Sequence, residues 1–420
     1  MKVLGLVTEY NPFHNGHLHH LVESKRVAGA SYSVAVMSGH FMQRGEPAIV
    51  DKWTRAAMAV SCGVDLVLEL PTIYACSSAD SFARGSVLLL DQLGCVTDLC
   101  FGSEAGGLKG LEWVGEQLAH PSEGFEDHFA KALSSGLSFA SAQESALTYI
   151  LQQSAPHMID HVKPLFNQPN NVLGISYIKH LKKASSDINV HTIPRIGAGY
   201  LDLKLHPRVS SATGIRHHYF NAGDLDSVRL SMPANAYSYF ENGVKCGRGP
   251  VNISDFEKSL MVLLKRSSKQ ELLQLPHMTE GLENRILACI QTSGTVDSFL
   301  HCVKNKRVPY TRLQRMLIHL LLNIQNKMAS EWYHLRKPPY ARILAFNDQG
   351  RKLIRICRKS AVIPLINKTA SFEPDCPHTK ELISLDFRAS RIYGAMLQHP
   401  TFQNGEPDLL NSPVYVATQL

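Results

Sequence analysis

No stretch of the 420-residue chain holds the roughly 18–20 consecutive apolar residues that a membrane-spanning helix needs. The first residues, Met1-Lys2-Val3-Leu4-Gly5, lack the zones of a secretory leader and run straight into a segment of strand character. None of the nine cysteines stands in a CxxC pair, and Cys95 and Cys100 are too isolated for a zinc site. Cys62, Cys76, Cys289, Cys302 and Cys357 lie in apolar runs, so buried free thiols in a reducing cytoplasm are expected, and no metal ligand is assigned. A Walker A loop is missing, which excludes a P-loop enzyme. Internal repeats and low-complexity tracts are missing too. Charge of either sign is modest: charged residues make up 19% and the net charge is +7, too mild an excess to name an anionic partner alone. What is abundant is apolar residues, 44%, enough for substantial cores over two or three domains.

The apolar segments have the lengths of an α/β protein. Residues 2–8 form a continuous run suited to a central parallel strand, and further strands are expected at 32–37, 65–70, 98–101 and 188–194. Helices are expected between them at 16–29, 53–62, 81–93 and 172–183, which predicts a parallel sheet with right-handed crossovers. Residues 108–150 read as a helical excursion from that sheet. After about 220 the pattern is all-helical, with a capping box at Ser254-Asp255-Phe256-Glu257 and helices at 282–292 and 311–328. From 341 it changes again: a strand at 343–346, a turn, a strand or short helix at 353–356, and a closing helix at 381–396. The expected organisation is an α/β domain over 1–220, a helical region over 221–340 and a small C-terminal α/β unit over 341–420.

The chemistry concentrates where the first strand meets the first helix. Thr8-Glu9-Tyr10-Asn11-Pro12-Phe13-His14-Asn15-Gly16-His17 occupies that junction, at the carboxyl edge where open parallel sheets bind ligands. A helix N-terminus offers free N–H groups and partial positive charge, which suits a triphosphate. His14 and His17 straddle the first turn and can stabilise charge on an α-phosphate and a departing pyrophosphate. Gly16 lets a nucleotide lie close to the backbone. Downstream, Ser210, Ser211, Thr213 and Arg216 combine hydroxyls at a helix start with a cation, a second anion site.

These segments resemble the HxGH nucleotidyltransferase superfamily: a strand before the histidines, a helix after them, and a Ser/Thr-rich segment ending in Arg. The set formed by Gly5–His17, by Met37-Ser38-Gly39-His40-Phe41-Met42-Gln43-Arg44-Gly45-Glu46-Pro47-Ala48, by Asp51-Lys52 and by Gly63–Pro71 resembles, more narrowly, the bacterial tRNA(Met) cytidine acetate ligases. No KMSKS-like sequence accompanies it, which disfavours an aminoacyl-tRNA synthetase. The resemblance implies a Rossmann-like nucleotidyltransferase domain and ATP as substrate, with Mg2+. Acetate is activated as acetyl-adenylate, and the acetyl group passes to N4 of the wobble cytidine of elongator tRNA(Met). It implies ATP contacts along Val7 to His20. That stretch takes in Leu18, His19 and His20, the last two of which helix packing would also explain. It adds Gly102, Asn170, Asn171 and Arg195 to the serine-rich segment. Asp51 would orient Lys52 or take the cytidine proton, so Asp51 and Lys52 join His14 and His17 as catalytic candidates.

Lys304, Lys306, Arg307, Arg312 and Arg315 surround Tyr310 at the start of an apolar helix, a pattern suited to RNA phosphates and a stacked base. Arg307, Arg312 and Arg315 are therefore expected to bind tRNA. Arg351, Lys352, Arg355, Arg358 and Lys359 form a second basic face. Two other readings stand beside this one: a nucleotidyltransferase adenylylating a small phosphorylated metabolite, which leaves the second half unexplained, and an RNA-binding protein with a relic nucleotide site, which leaves His14 and His17 unexplained.

Overall fold

The computed structural model describes residues 1–166, 168–195, 210–278, 281–305, 308–334 and 338–417. Its strands are β1 (Val3–Thr8), β2 (Tyr32–Ser38), β3 (Leu66–Leu70), β4 (Asp98–Ser103), β5 (Asn189–Pro194), β6 (Ala341–Phe346), β7 (Leu365–Ile366) and β8 (Val414–Tyr415). They form one sheet in the order β5-β4-β1-β2-β3-β6-β7, with β8 also on β6. β5, β4, β1, β2 and β3 are parallel, joined by crossover helices. The continuous apolar runs are explained by burial on both faces. Along β2, Val34 and Val36 enter one core while Ala35 and Met37 enter the other; β3 divides Leu66 and Leu68 from Val67 in the same way.

The helices Asn15–Ala28 and Lys52–Ser61 cover one face, together with Ala212–Ala222 and Ala234–Lys245. Ala79–Asp91 and Pro169–Lys183 cover the other, and the helical excursion packs outside them through Lys109–Ala119. The excursion is longer than expected: after the helix Glu123–Ser134, the helix Phe139–Ser154 runs past residue 150.

Several expectations are corrected. The segment after 341 does not stand apart as a small unit: β6 pairs antiparallel with β3, Leu66 opposite Phe346 and Glu69 opposite Arg342. Without it β3 would be an open edge of apolar residues. Residues 353–356 belong to the helix Asp348–Ser360. The helix expected over 311–328 is two, Tyr310–Leu321 and Asn326–His334, with Asn323 left-handed (φ 49°) between them. The capping box lies two residues earlier than expected: Asn252 caps Ile253–Phe256 and Asp255 bonds back to its backbone. The cysteines are not all free. Cys289 and Cys302 are disulfide-bonded, their Cα atoms 5.8 Å apart in neighbouring helices. Among the described residues no helix is long and apolar enough to cross a membrane.

Candidate functional site

β1 ends at Thr8, and the chain reverses through a turn in which Tyr10 takes a left-handed conformation (φ 46°), costly for a bulky residue. The following helix starts with an unusual cap. His14 sits at the N-cap and its Nδ1 accepts a hydrogen bond from the Gly16 N–H at 3.0 Å. The His14 N–H in turn donates to Nδ1 of His17 at 3.3 Å. This is a capping box in which histidines replace the usual Ser and Glu. The two rings stack with centroids 3.7 Å apart, and Tyr10 braces His17 edge-on at 4.9 Å.

The cap fixes the chemistry of both rings. An Nδ1 that accepts a hydrogen bond carries no proton, so each neutral ring holds its proton on Nε2 and has a donor to spare. Burial, reinforced by Arg195 and Arg216, pushes the His14 pKa down to about 3. Burial first, then His14, His20 and Arg195, holds His17 well below the usual imidazole range. Before an anion arrives the pair is therefore neutral, and preorganised to donate.

Both rings line a cavity of about 500 Å3 at the carboxyl ends of the strands. Val7, Thr8, Glu9, Tyr10, Asn11 and Gly16 share its wall. His19 and His20 also face it, and burial followed by Arg195 lowers His20 to about 4. Pro12, Phe13, Asn15 and Leu18 do not line it. Phe13 packs on Tyr10 and His17, and Asn15 ties the helix start to Leu230 and Ser231.

Gly102, Asn170 and Arg195 also line the cavity. A Cβ on Gly102 would press on the Arg195 side chain at 3.2 Å, and Arg195 donates to the Asn170 amide oxygen at 3.0 Å. Asn171 lies behind the wall, its Oδ1 accepting from Ser103 Oγ at 2.8 Å. Ser210, Ser211, Thr213 and Arg216 all reach the cavity. Ser211 caps the helix Ala212–Ala222 through the Gly214 N–H. The Arg216 guanidinium is already engaged, by the Asn11 carbonyl at 2.8 Å and by Glu46 at 2.6 Å, so the expected phosphate clamp meets an existing ion pair.

Two catalytic candidates fall elsewhere. Asp51 caps the helix Lys52–Ser61, accepts the Thr54 N–H at 2.8 Å and pairs with Arg248 at 3.1 Å. Lys52 is wholly buried. Its Nζ contacts Glu69 at 2.7 Å and Asp408 at 2.6 Å, and Arg342 closes the cluster. Neither lines the cavity, and Lys52 has no face left for a substrate.

Arg312 and Arg315 lie on the helix Tyr310–Leu321, outside the cavity wall; Arg307 lies outside the described residues. Arg315 reaches back to the Gln43 carbonyl at 3.4 Å. Gly45 (φ 80°) lets the Gln43–Glu46 loop press against this helix, because a Cβ there would overlap the backbone of Gln314 and Arg315.

Other wall residues carry no motif. Phe82, Phe101 and Tyr177 supply aromatic surface suited to a base, and Glu46 supplies a carboxylate. Arg55, fully buried, ties the ends of β1 and β2 together through the carbonyls of Glu9, Ser38 and Gly39. The aromatics look like ordinary core positions in a linear reading, and only the sheet brings them together.

A parallel sheet, a nucleotide-sized cavity at its carboxyl edge and two donor histidines on the first helix turn define a HIGH nucleotidyl transferase. The family of that description matches residues 1–408. Within that class the chain belongs to the tRNA(Met) cytidine acetate ligases. The tRNA(Met) cytidine acetate ligase of Alkaliphilus metalliredigens is 43% identical over 99% of both chains. That of Acetivibrio thermocellus is 38% identical over 96% of this chain and 97% of its own. The crystal structure of apo Thermotoga maritima TmcAL superposes with a TM-score of 0.94 at 33% identity over the whole of both chains. The form of that protein bound with alpha-thio ATP gives 0.92.

Proposed function

We infer that this protein is an ATP-dependent tRNA acetate ligase. It joins acetate to the α-phosphate of ATP, releasing pyrophosphate, and passes the acetyl group from the adenylate to N4 of the wobble cytidine of elongator tRNA(Met). One observation carries the first half: two neutral imidazoles, each with a free Nε2–H, face a cavity large enough for a nucleotide. Attack of a carboxylate on an α-phosphate asks chiefly for positioning and for donors where negative charge develops. His14 and His17 supply those donors, the N-terminus of the helix Asn15–Ala28 adds its N–H groups, and Arg195 adds a cation on the cavity wall. Acetate and tRNA(Met) as the other substrates follow from the family.

Among the described residues no three ligating side chains gather in the cavity; Glu331, His378 and Glu381 come close to one another only on the surface. Mg2+ enters with ATP, held by its phosphates and water. The helical region over 221–340 is the tRNA platform, with Arg312 and Arg315 toward the RNA backbone. Such an enzyme works in the cytoplasm, where tRNA is modified.

The test is incubation of the full chain with ATP, labelled acetate and unmodified tRNA(Met), without acetyl-CoA. Label in the RNA is the expected result. ATP turnover with a small phosphorylated acceptor but never with acetate would replace this reading with adenylylation of a metabolite.

A further inference from the structure

Acyl transfer to an aromatic amine has to dispose of a proton, and the donor groups His14, His17 and Arg195 are not suited to take it. The cytidine N4 is a weak nucleophile, and as it bonds to the acetyl carbon one of its hydrogens must leave. With Asp51 committed to a helix cap, the carboxyls of the cavity wall among the described residues are Glu9 and Glu46. Glu46 is ion-paired through Oε2 with Arg216 at 2.6 Å, whereas Glu9 makes no ion pair among the described residues. Glu9 is held on one oxygen only: Oε1 accepts the Gln43 N–H at 2.7 Å and lies 3.4 Å from Ser38 Oγ, while Oε2 accepts no hydrogen bond among the described residues.

We propose that Glu9 is the proton acceptor of the transfer step, a catalytic residue of the second half-reaction. This rests on the acetyl-transfer reading of the site. N4 attacks the acetyl carbonyl carbon and the carbon–nitrogen bond forms. The bond from that carbon to the phosphate oxygen breaks, and AMP departs with the electron pair. The N4 proton passes to Glu9 Oε2 and from there to solvent.

The setting makes Glu9 a better base than an exposed carboxylate. Burial is the main cause of a pKa raised above the usual 4.5, with Glu46 adding to it; the Gln43 N–H, Arg216 and Arg55 oppose. Tyr177 on the cavity wall and Cys76 behind it both feel the Glu9 charge, and both thiol and phenol stay protonated because burial raises them as well. Its anchor, Gln43, belongs to the loop clamped on the helix that carries Arg312 and Arg315. The base is thus fixed from the side where the RNA arrives.

Both half-reactions are measured on the full chain carrying Glu9→Gln, which keeps the oxygen that Gln43 donates to. Acetate-dependent ATP–pyrophosphate exchange reads adenylation, and single-turnover reaction of acetyl-adenylate with unmodified tRNA(Met) reads transfer. Transfer falls by about 100-fold or more, and by at least about ten times as much as exchange does. In the wild type, transfer slows toward acid pH as Glu9 is protonated, and Glu9→Gln loses that limb. Equal loss of both half-reactions overturns the proposal, because Glu9 then serves the nucleotide. Unimpaired transfer overturns it as well. Should the variant fail to fold, the wild-type profile decides, and a transfer rate with no acid limb from neutrality down to the ordinary carboxylate range removes the base. Absence of acetate-dependent exchange in the wild type would instead remove the acetate-activation reading on which the proposal rests.

Discussion

The cavity and the Lys52 cluster are both assemblies of charge between secondary elements, and they are built on opposite plans. In the cluster two cations, Lys52 and Arg342, meet two anions, Glu69 and Asp408, with side chains at most 2% exposed. Each carboxylate there meets both cations. In the cavity the groups are held on one side only: His14 and His17 by Nδ1, Glu9 by Oε1. A reactive site and a structural one differ here in where unused hydrogen-bonding capacity faces more than in the kind of residue: Asp408 Oδ2 is sealed inside the cluster, whereas Glu9, His14 and His17 open on the cavity. Burial holds the His14 and His17 rings neutral until an anion arrives and makes Glu9 a readier proton acceptor than an exposed carboxylate.

The largest effect is expected in the cluster. Lys52→Met leaves Glu69 and Asp408 with Arg342 as their only cation in a buried space, and breaking such a pair costs about 3–5 kcal/mol. Urea unfolding should show that loss, while adenylation per folded molecule stays within about threefold. Selective loss of activity at unchanged stability would put Lys52 back among the catalytic groups and break the contrast.

Next comes His14→Asn. Asparagine keeps an acceptor suited to the N-cap but removes the imidazole Nε2–H. Acetate-dependent pyrophosphate exchange should fall by about 100- to 1,000-fold, the usual loss of one transition-state donor. The unfolding midpoint should move little. A variant that exchanges pyrophosphate normally would make His14 a capping residue alone.

The half-buried arginines of the helix Tyr310–Leu321, which donate to the His277 and Gln43 carbonyls, should respond more weakly. Replacing Arg312 and Arg315 together by Gln should reduce the slope of log tRNA affinity against log salt by about 1 to 2, since each phosphate no longer neutralised lowers it by about one or less. Measurement of tRNA affinity across a salt series checks this. An unchanged slope would take the helix Tyr310–Leu321 out of the RNA interface and leave the cavity as the place where tRNA is read.

What could be read from the linear chain follows the range of the interactions. The strand–turn–helix around His14 and His17 is local, and its motif, its strand and its helix all lie within 28 residues of the N-terminus. The parallel strands were legible because burial on both faces makes them continuously apolar. Lys52 was not, because Asp408, which turns it from a candidate catalyst into a structural ion, is 356 residues away. For the same reason β6 looked like the start of a separate unit: its partner β3 lies some 270 residues earlier and runs antiparallel. Phe82, Phe101 and Tyr177 come from a helix, a strand and another helix, with no spacing to link them. Asp51 shows a subtler failure. An acidic residue just before a helix is a cap first, and only the fold shows whether it has an oxygen to spare.

The two assemblies also separate by their response to pH. An unfolded His14 binds a proton near its usual pKa of 6.5, whereas the folded ring does so only near 3. Between those values the unfolded chain carries the extra proton, so this histidine makes stability fall as pH drops through the window and adds nothing above it. Around pH 5 its share of the slope is about 1.4 kcal/mol per pH unit. Denaturation midpoints measured from about pH 7 to 4 should therefore show the wild type losing stability relative to His14→Gln toward acid. Parallel curves would mean that the His14 ring is solvated and titrates normally in the folded protein. The cavity would then not be the neutral, preorganised donor site that distinguishes it from the Lys52 cluster.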